Sequence, residues 1–475
     1  MSKNNTLCIA EWQTFGVEDI QEVIADTRKD KAKDIFNEFV EFTKQEGNDK
    51  FLKFKNSTTL KAQNYVGLIQ TKSGFCLEIL PKTFRTAKDS EGFAIKNCVC
   101  SSQKSIHPLI PSAGEGEQEK CQVCQAKQIL LNMLRTLRSS PYKQSHISNL
   151  KIHRFPLLEV FAIMFLDEVE RLIKRGIKSD YVVREENRTF LKGKLLFDEN
   201  LKYNFAHKER FFTANDEFIA DIAPNRLLVS TILFLSAQVF SPRTSGRISQ
   251  ARFIFADIGP SKSIDKDFAL CPSSRHYKDY ELLLAWCEIF LRRKSFMPYQ
   301  GGDKAFALLF DMNKLFESFV AWHLKRVCKN HIVKSQDGHK FLIKDDKFRI
   351  KPDLVIYGKD ETDLKSAKTK CIADTKWKIL NFSRDDYGIA QGDLYQMFAY
   401  LAKYQCAKGY LIYPKIAGNE SINHNSFTYK AKVCFYDEPK ENPPPHKKQE
   451  MKLQIYFFNL HNPSEAANEI LLNLC

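Results

Sequence analysis

The stretches "RIKPDLVIYG" (residues 349–358) and "KCIADTKWKI" (residues 370–379) each set a carboxylate at an apolar, strand-like run. Leu354, Val355 and Ile356 after Asp353, and Cys371, Ile372 and Ala373 before Asp374, predict two buried strands, with Pro352 at the start or edge of the first. Side chains alternate along a strand, so Asp374 and Lys376 share one face and Thr375 takes the other. An ionised carboxylate in such surroundings is costly unless a cation neutralises it. Two carboxylates and one ammonium leave negative charge over. A divalent ion such as Mg²⁺ or Mn²⁺, which favours hard oxygen ligands and can be shared with phosphate oxygens, closes that deficit. Asp353 and Asp374 are therefore candidate metal ligands, and Lys376 a candidate to orient water and stabilise charge on a phosphate. The alternative is two strand-end aspartates in ordinary turn contacts or ion pairs.

The surrounding sequence supplies context. "DMNKLFESFVAWHLKRV" predicts a helix from about 311 to 329, with Leu315, Phe316, Phe319, Val320 and Leu324 on its apolar face and Glu317 at the flank. A hairpin-like pair spans 340–357, a strand 370–377, a helix 388–404 and a strand 408–414, and "MKLQIYFFNL" closes the series. Strands alternating with helices predict a mixed α/β sheet with helices on its flanks. In "DLYQMFAYLAKY", Gln396 and Tyr400 lie at i and i+4 and share one helix face. Gln396 can orient the attacking water or touch DNA, or be a surface amide; Tyr400 can equally be core packing.

Upstream, "NYVGLIQ" and "FCLEILPKTF" predict a hairpin within a β-rich amino-terminal domain over 1–150, interrupted by a polar insertion over 86–125. Residues 151–300 form a mainly helical middle domain. Its helices begin at Pro156, at Asn225 and at Tyr280, with a hairpin around "TFLKGKLLF", and "MPYQGG" reads as a linker. The remaining domain covers 301–475. The fold class is α+β and multidomain.

Lys and Arg number 72 against 57 acidic residues, a net charge of +15 that favours polyanionic partners. With 43% hydrophobic residues and 37 Phe, the chain has apolar material for sizeable cores, which argues against disorder as its general state. No apolar run reaches the roughly 18–20 residues of a membrane helix. The start lacks a signal-peptide layout, so a cytoplasmic protein with no membrane partner is expected. The 13 cysteines read as reduced thiols. Cys98, Cys100, Cys121 and Cys124, as C-x-C and C-x₂-C, could bind a structural Zn²⁺; free thiols are the alternative.

Pro-Asp, then Asp-x-Lys, resembles the PD-(D/E)xK nuclease superfamily. Together, "DMNKLFESFV", "IKPDLVIYG", "IADTKWK" and "DLYQMFAYLAKY" resemble the McrC family, the nuclease subunits of McrBC-type restriction systems. "VGLIQTKSGFCLEILPKTF", "LKGKLLF" and "NDEFIADIAPNRLLVSTI" extend the resemblance upstream. It implies a Mg²⁺-dependent endonuclease acting on modified double-stranded DNA. It also implies a hexameric McrB-like AAA+ GTPase as partner, bound through the amino-terminal region and stimulated in its GTP hydrolysis. By motif position it makes Asp353 and Asp374 metal ligands, Lys376 the catalytic lysine, and Glu317 and Gln396 supporting residues. The sequence holds no G-x-x-x-x-G-K-[ST] loop of its own. Two other readings stand beside this one: a non-cutting adaptor and GTPase activator, and a PD-(D/E)xK nuclease of a transposition or repair system.

Overall fold

The computed structural model describes residues 5–24, 29–83, 121–137, 155–272, 274–292, 306–343, 345–358, 369–381, 384, 386–416, 426–434 and 448–472. The chain divides into two compact units. One joins residues 1–143 to 303–305 and 309–475; the other comprises 144–302 and 306–308. It is a mixed α/β, multidomain protein with several sheets.

Strands Thr6–Ala10, Cys76–Leu80, Tyr65–Gln70 and Phe306–Asp311 form one sheet in that order, all of it in the first unit except residues 306–308. The expected hairpin is present: Tyr65–Gln70 pairs antiparallel with Cys76–Leu80 across a turn in which Gly74 has φ +81°. A second small sheet orders Thr14–Gly16, Thr59–Ala62 and Leu52–Phe54. Residues 121–125, counted with the polar insertion in the sequence reading, instead open an apolar helix, Gln122–Leu134, whose Val123 and Cys124 are buried. The rest of the insertion lies outside the described residues, as does "MPYQGG".

The larger sheet of this unit has six strands in the order His331–Ser335, Leu354–Gly358, Thr369–Thr375, Lys408–Lys415, Lys448–Asn459, Ser426–Cys434. The first three pair antiparallel, and Thr369–Thr375, Lys408–Lys415 and Lys448–Asn459 run parallel. The expected hairpin over 340–357 is divided differently. Phe341–Ile343 pairs with Lys347–Arg349 in a separate two-stranded ribbon, and Leu354–Gly358 joins the large sheet.

Helix Gln391–Lys403 covers one face of this sheet. Its Met397 and Leu401 are fully buried with Val355, Ile372, Leu411 and Leu453, and each such side chain contributes about 1.5–3 kcal/mol when removed from water. The approach is close at Gly409, where a Cβ would stand 3.0 Å from Met397 Cε and 3.2 Å from Leu401 Cδ1. Helix Met312–Val327 starts because Asp311, as N-cap, accepts a bond from Asn313 N at 2.9 Å. It buries Leu315, Phe316, Phe319, Val320 and Leu324, as its periodicity predicts, and the Phe316 and Phe319 rings meet Phe458.

The second unit holds helices Leu157–Arg175, Ala223–Ser236, Pro242–Ile254, Ile264–Leu270 and Lys278–Leu291 around Phe161, Phe165, Leu227, Trp286 and Phe290. Asp180–Arg188 and Phe211–Ile219 form a nine-residue antiparallel ladder with the short strand Lys194–Leu195 at its edge. "TFLKGKLLF" thus contributes an edge strand to a larger sheet and does not form a hairpin of its own. Among the described residues no helix is long and apolar enough to cross a membrane, and no cysteine forms a disulfide.

Candidate active site

Leu354 pairs with Ala373 across an antiparallel ladder, so one step further along Asp353 faces Asp374. Directly opposed residues point to the same face with Cβ atoms about 5 Å apart. Both carboxylates therefore leave the sheet together, where one strand begins and the next ends. Asp353 Oδ2 accepts from Thr375 N at 2.8 Å and Thr375 Oγ1 at 2.6 Å. Asp374, 2% exposed, places Oδ2 2.6 Å from Lys376 Nζ. The two form an ion pair, in which the Lys376 ammonium is the partner of Asp374 Oδ2.

Burial pushes the Asp353 carboxyl up to about 6, and the neighbouring Glu317 adds to the rise. Asp374 is likewise raised to about 6, by burial first and by repulsion from Asp353 second. Glu317, half-buried on helix Met312–Val327, is raised by burial against the opposing hydrogen bond from Gln336. Burial alone would lower the Lys376 ammonium; Asp374 and Asp393 outweigh it and hold the lysine above its ordinary value. Three acids with raised carboxyls thus share the site with a firmly charged base, and Asp374 is the one in contact with it.

Lys376 Nζ also donates to Gln396 Oε1 at 2.9 Å and lies 3.3 Å from Asp393 Oδ1. Gln396 Nε2 donates to Tyr400 Oη at 2.8 Å, and Tyr400 OH to the Lys351 carbonyl at 3.2 Å. All five candidate residues, Asp353, Asp374, Lys376, Glu317 and Gln396, are thus linked through one polar network, with Tyr400 as its brace.

Three members of that network escaped the sequence reading. Gln336 donates its amide to Glu317 Oε1 at 2.7 Å and to Asp353 Oδ1 at 3.3 Å, from a backbone at φ 53°. Nothing in the linear sequence marks it. Asp393 bridges Lys376 and Lys378, with Lys378 Nζ at 2.6 Å; its i, i+3 relation to Gln396 was a readable signal. Glu11 is wholly buried in the amino-terminal region and accepts from Trp377 Nε1 at 2.5 Å, one residue past the lysine. Lys82 Nζ stands 3.6 Å from its other oxygen. The Trp377 ring packs on Phe316, the neighbour of Glu317.

Among the described residues, no three His, Cys, Asp or Glu side chains form a ready metal cluster. Mg²⁺ does not demand one, since it is held by one or two carboxylates and completes its shell with water. A facing pair of carboxylates, each destabilised in its charged form by burial and by a neighbouring acid, fits that ion. Of the cysteine set, Cys121 is the N-cap of helix Gln122–Leu134 and Cys124 is buried in its first turn; Cys98 and Cys100 lie outside the described residues.

The fold matches a refined half-complex of Thermococcus gammatolerans McrB AAA+ hexamers with bound McrC, at TM-score 0.61 and 16% identity, over 99% of this chain and 100% of the other. A second solved structure, a cryo-EM structure of the Thermococcus gammatolerans McrBC complex, matches at TM-score 0.42 and 18% identity, over 68% of this chain and 87% of that one. A comparison with curated proteins returns no match. The family model described as McrBC 5-methylcytosine restriction system component matches residues 60–414, well over half of the chain and all five candidate residues. The chain belongs to that family.

Proposed function

We propose that this chain is the DNA-cutting subunit of a two-component restriction system, a Mg²⁺-dependent PD-(D/E)xK endonuclease housed in residues 301–475. The observation that carries this is the pairing of Asp353 with Asp374 on one face of the sheet, with Asp374 buried and its Oδ2 2.6 Å from the charged Lys376. Asp353 and Asp374, supported by Glu317, would hold Mg²⁺ or Mn²⁺. When bound, that ion supplies Lewis-acid activation of water and of the phosphate. Lys376, kept protonated by Asp374 and Asp393, stabilises negative charge growing on the phosphate. Gln396 and Tyr400 fix the lysine's position, and Gln336 holds Glu317 beside Asp353.

The working unit includes a McrB-like AAA+ GTPase whose hydrolysis this chain stimulates. Likeness in fold over nearly the whole chain to one bound to McrB AAA+ hexamers supports that partner, and the net charge of +15 supports DNA as substrate. The setting is the cytoplasm, where DNA is cut. The adaptor reading predicts that the carboxylates are dispensable. Asp374→Ala and Lys376→Ala should each lower Mg²⁺-dependent cutting by at least about 100-fold while GTPase stimulation persists. Cutting retained at wild-type rate by Asp374→Ala would leave only the adaptor.

A further inference from the structure

We propose that the ribbon formed by Phe341–Ile343 and Lys347–Arg349 is a DNA-docking blade that grips the duplex beside the carboxylate site. The inference rests on the nuclease reading and names the surface that receives its substrate.

Both ends of the ribbon grow out of the site itself. Gln336, on its entry side, bonds Glu317 and Asp353 through its side chain and the Asp353 carbonyl through its backbone N–H at 2.9 Å. Asp353 follows four residues after Arg349, and four extended residues span at most about 14 Å. Phe348 is then within about 18 Å of Asp353 along the backbone, equivalent to about five base steps of one strand. A duplex whose phosphodiester lies at the carboxylates therefore has phosphates at the distance of this ribbon.

The root is locked. Asp337 is buried; its carboxylate accepts from Tyr357 OH at 2.6 Å and lies 2.6 Å from His339 Nδ1, and its carbonyl accepts from Tyr404 OH at 3.1 Å. Strand pairing continues below the ribbon through Ile350 N to the Lys340 carbonyl at 3.1 Å. Gly338 lets the stems of Arg349 and Lys351 lie against the backbone: a Cβ there would meet both at 3.2 Å. The Arg349 guanidinium sits over the Phe341 ring at 5.3 Å.

The blade, by contrast, is bare. Phe348 is 71% exposed, Ile343 52% and Leu342 43%, with Lys347, Arg349 and Lys351 exposed among them. Phe348 has φ 57°, a left-handed conformation costly for a bulky side chain. Strain of this kind persists where the surroundings enforce it and clusters at binding sites. An exposed ring whose chain neighbours are the exposed cations Lys347 and Arg349 supplies the chemistry of a nucleic-acid contact: apolar groups against sugars or base edges, and guanidinium and ammonium groups on phosphates. Asp345 and Asp346 sit at the turn, away from the root that meets the site.

The test measures anisotropy of a labelled duplex with the full chain in EDTA across a salt series. Lys347→Ala with Arg349→Ala should weaken binding and make the slope of log K against log salt shallower by about 2. Phe348→Gly should weaken binding about 10-fold at unchanged slope, with a thermal midpoint no lower than wild type because glycine accepts the left-handed backbone. Wild-type affinity in these variants overturns the proposal. So does absence of duplex binding by the wild-type chain, or loss of assembly with the AAA+ partner in place of loss of DNA. Mg²⁺-dependent cutting by Asp374→Ala is the separate arm. If it cuts as wild type, the nuclease reading fails whatever the ribbon does. If it is dead while the ribbon variants bind and cut normally, only the blade is lost.

Discussion

Replacing Asp374 by asparagine should stabilise the metal-free protein while abolishing its chemistry. The Asp374 carboxyl is raised from an ordinary 3.8 to about 6 in the folded chain, by burial and by the facing Asp353. A rise of that size corresponds to about 3 kcal/mol. The sign follows from linkage: an acid that holds its proton longer when folded favours the native state fully below pH 3.8, and loses that contribution as pH climbs through about 6. At pH 8 the wild type therefore carries the full cost of an ionised, buried Asp374. A neutral amide in its place would carry none. Lys376 loses one partner but keeps Asp393 at 3.3 Å and Gln396 at 2.9 Å, so the offset is about 1 kcal/mol. A net gain of about 1–2 kcal/mol remains.

The assay is urea unfolding in EDTA at pH 8 and pH 5, followed by tryptophan fluorescence. Asp374→Asn should be the more stable at pH 8, with the gap shrinking at pH 5. Mg²⁺ at 100 times its dissociation constant should then add about 2.7 kcal/mol to the wild type alone and invert the order. An asparagine variant that is less stable than wild type by the same amount at both pH values would refute the electrostatic reading of the site.

Three further outcomes follow from the same geometry. At fixed Mg²⁺, cutting should rise with pH through about 6, because Asp353 and Asp374 must lose protons to bind metal; a flat rate from pH 5 to 8 would contradict this. Asp393→Asn should slow cutting about 10-fold with Mg²⁺ affinity, measured by calorimetry, changed far less, since it contacts Lys376 and only weakly opposes the charge of Asp374. Trp377→Phe leaves buried Glu11 short of a donor and should cost about 1–3 kcal/mol in thermal unfolding; pairing it with Glu11→Gln should recover part of that loss, and strict additivity would show that the contact carries no weight.

What could be read from the sequence here divides by the range of the interaction involved. Asp353, Asp374 and Lys376 were legible because strand alternation and pairing are short-range rules, and Leu354 opposite Ala373 is the register they require. Gln396 with Tyr400 followed from helix geometry, and Asp393 was within reach of the same rule. The ribbon at 341–349 was merged with the strand after it, since a hairpin signal does not say which of its arms joins a larger sheet. Gln336 depends on a left-handed turn that brings an amide back over two acids, and no propensity encodes that. Glu11 lies 366 residues from Trp377. Its apolar neighbours, Ile9 and Ala10, predict only a strand end. A carboxylate that is fully buried there must be neutralised or hydrogen-bonded, so its presence was a clue to a distant donor even though the donor's identity was not. The same argument that made Asp374 conspicuous in "IADTKWK" applies to Glu11 in "CIAEWQ". One of these buried acids faces the candidate metal site and the other holds the tryptophan behind it. The chain thereby ties the end of the amino-terminal strand Thr6–Ala10 to the residue beside Lys376.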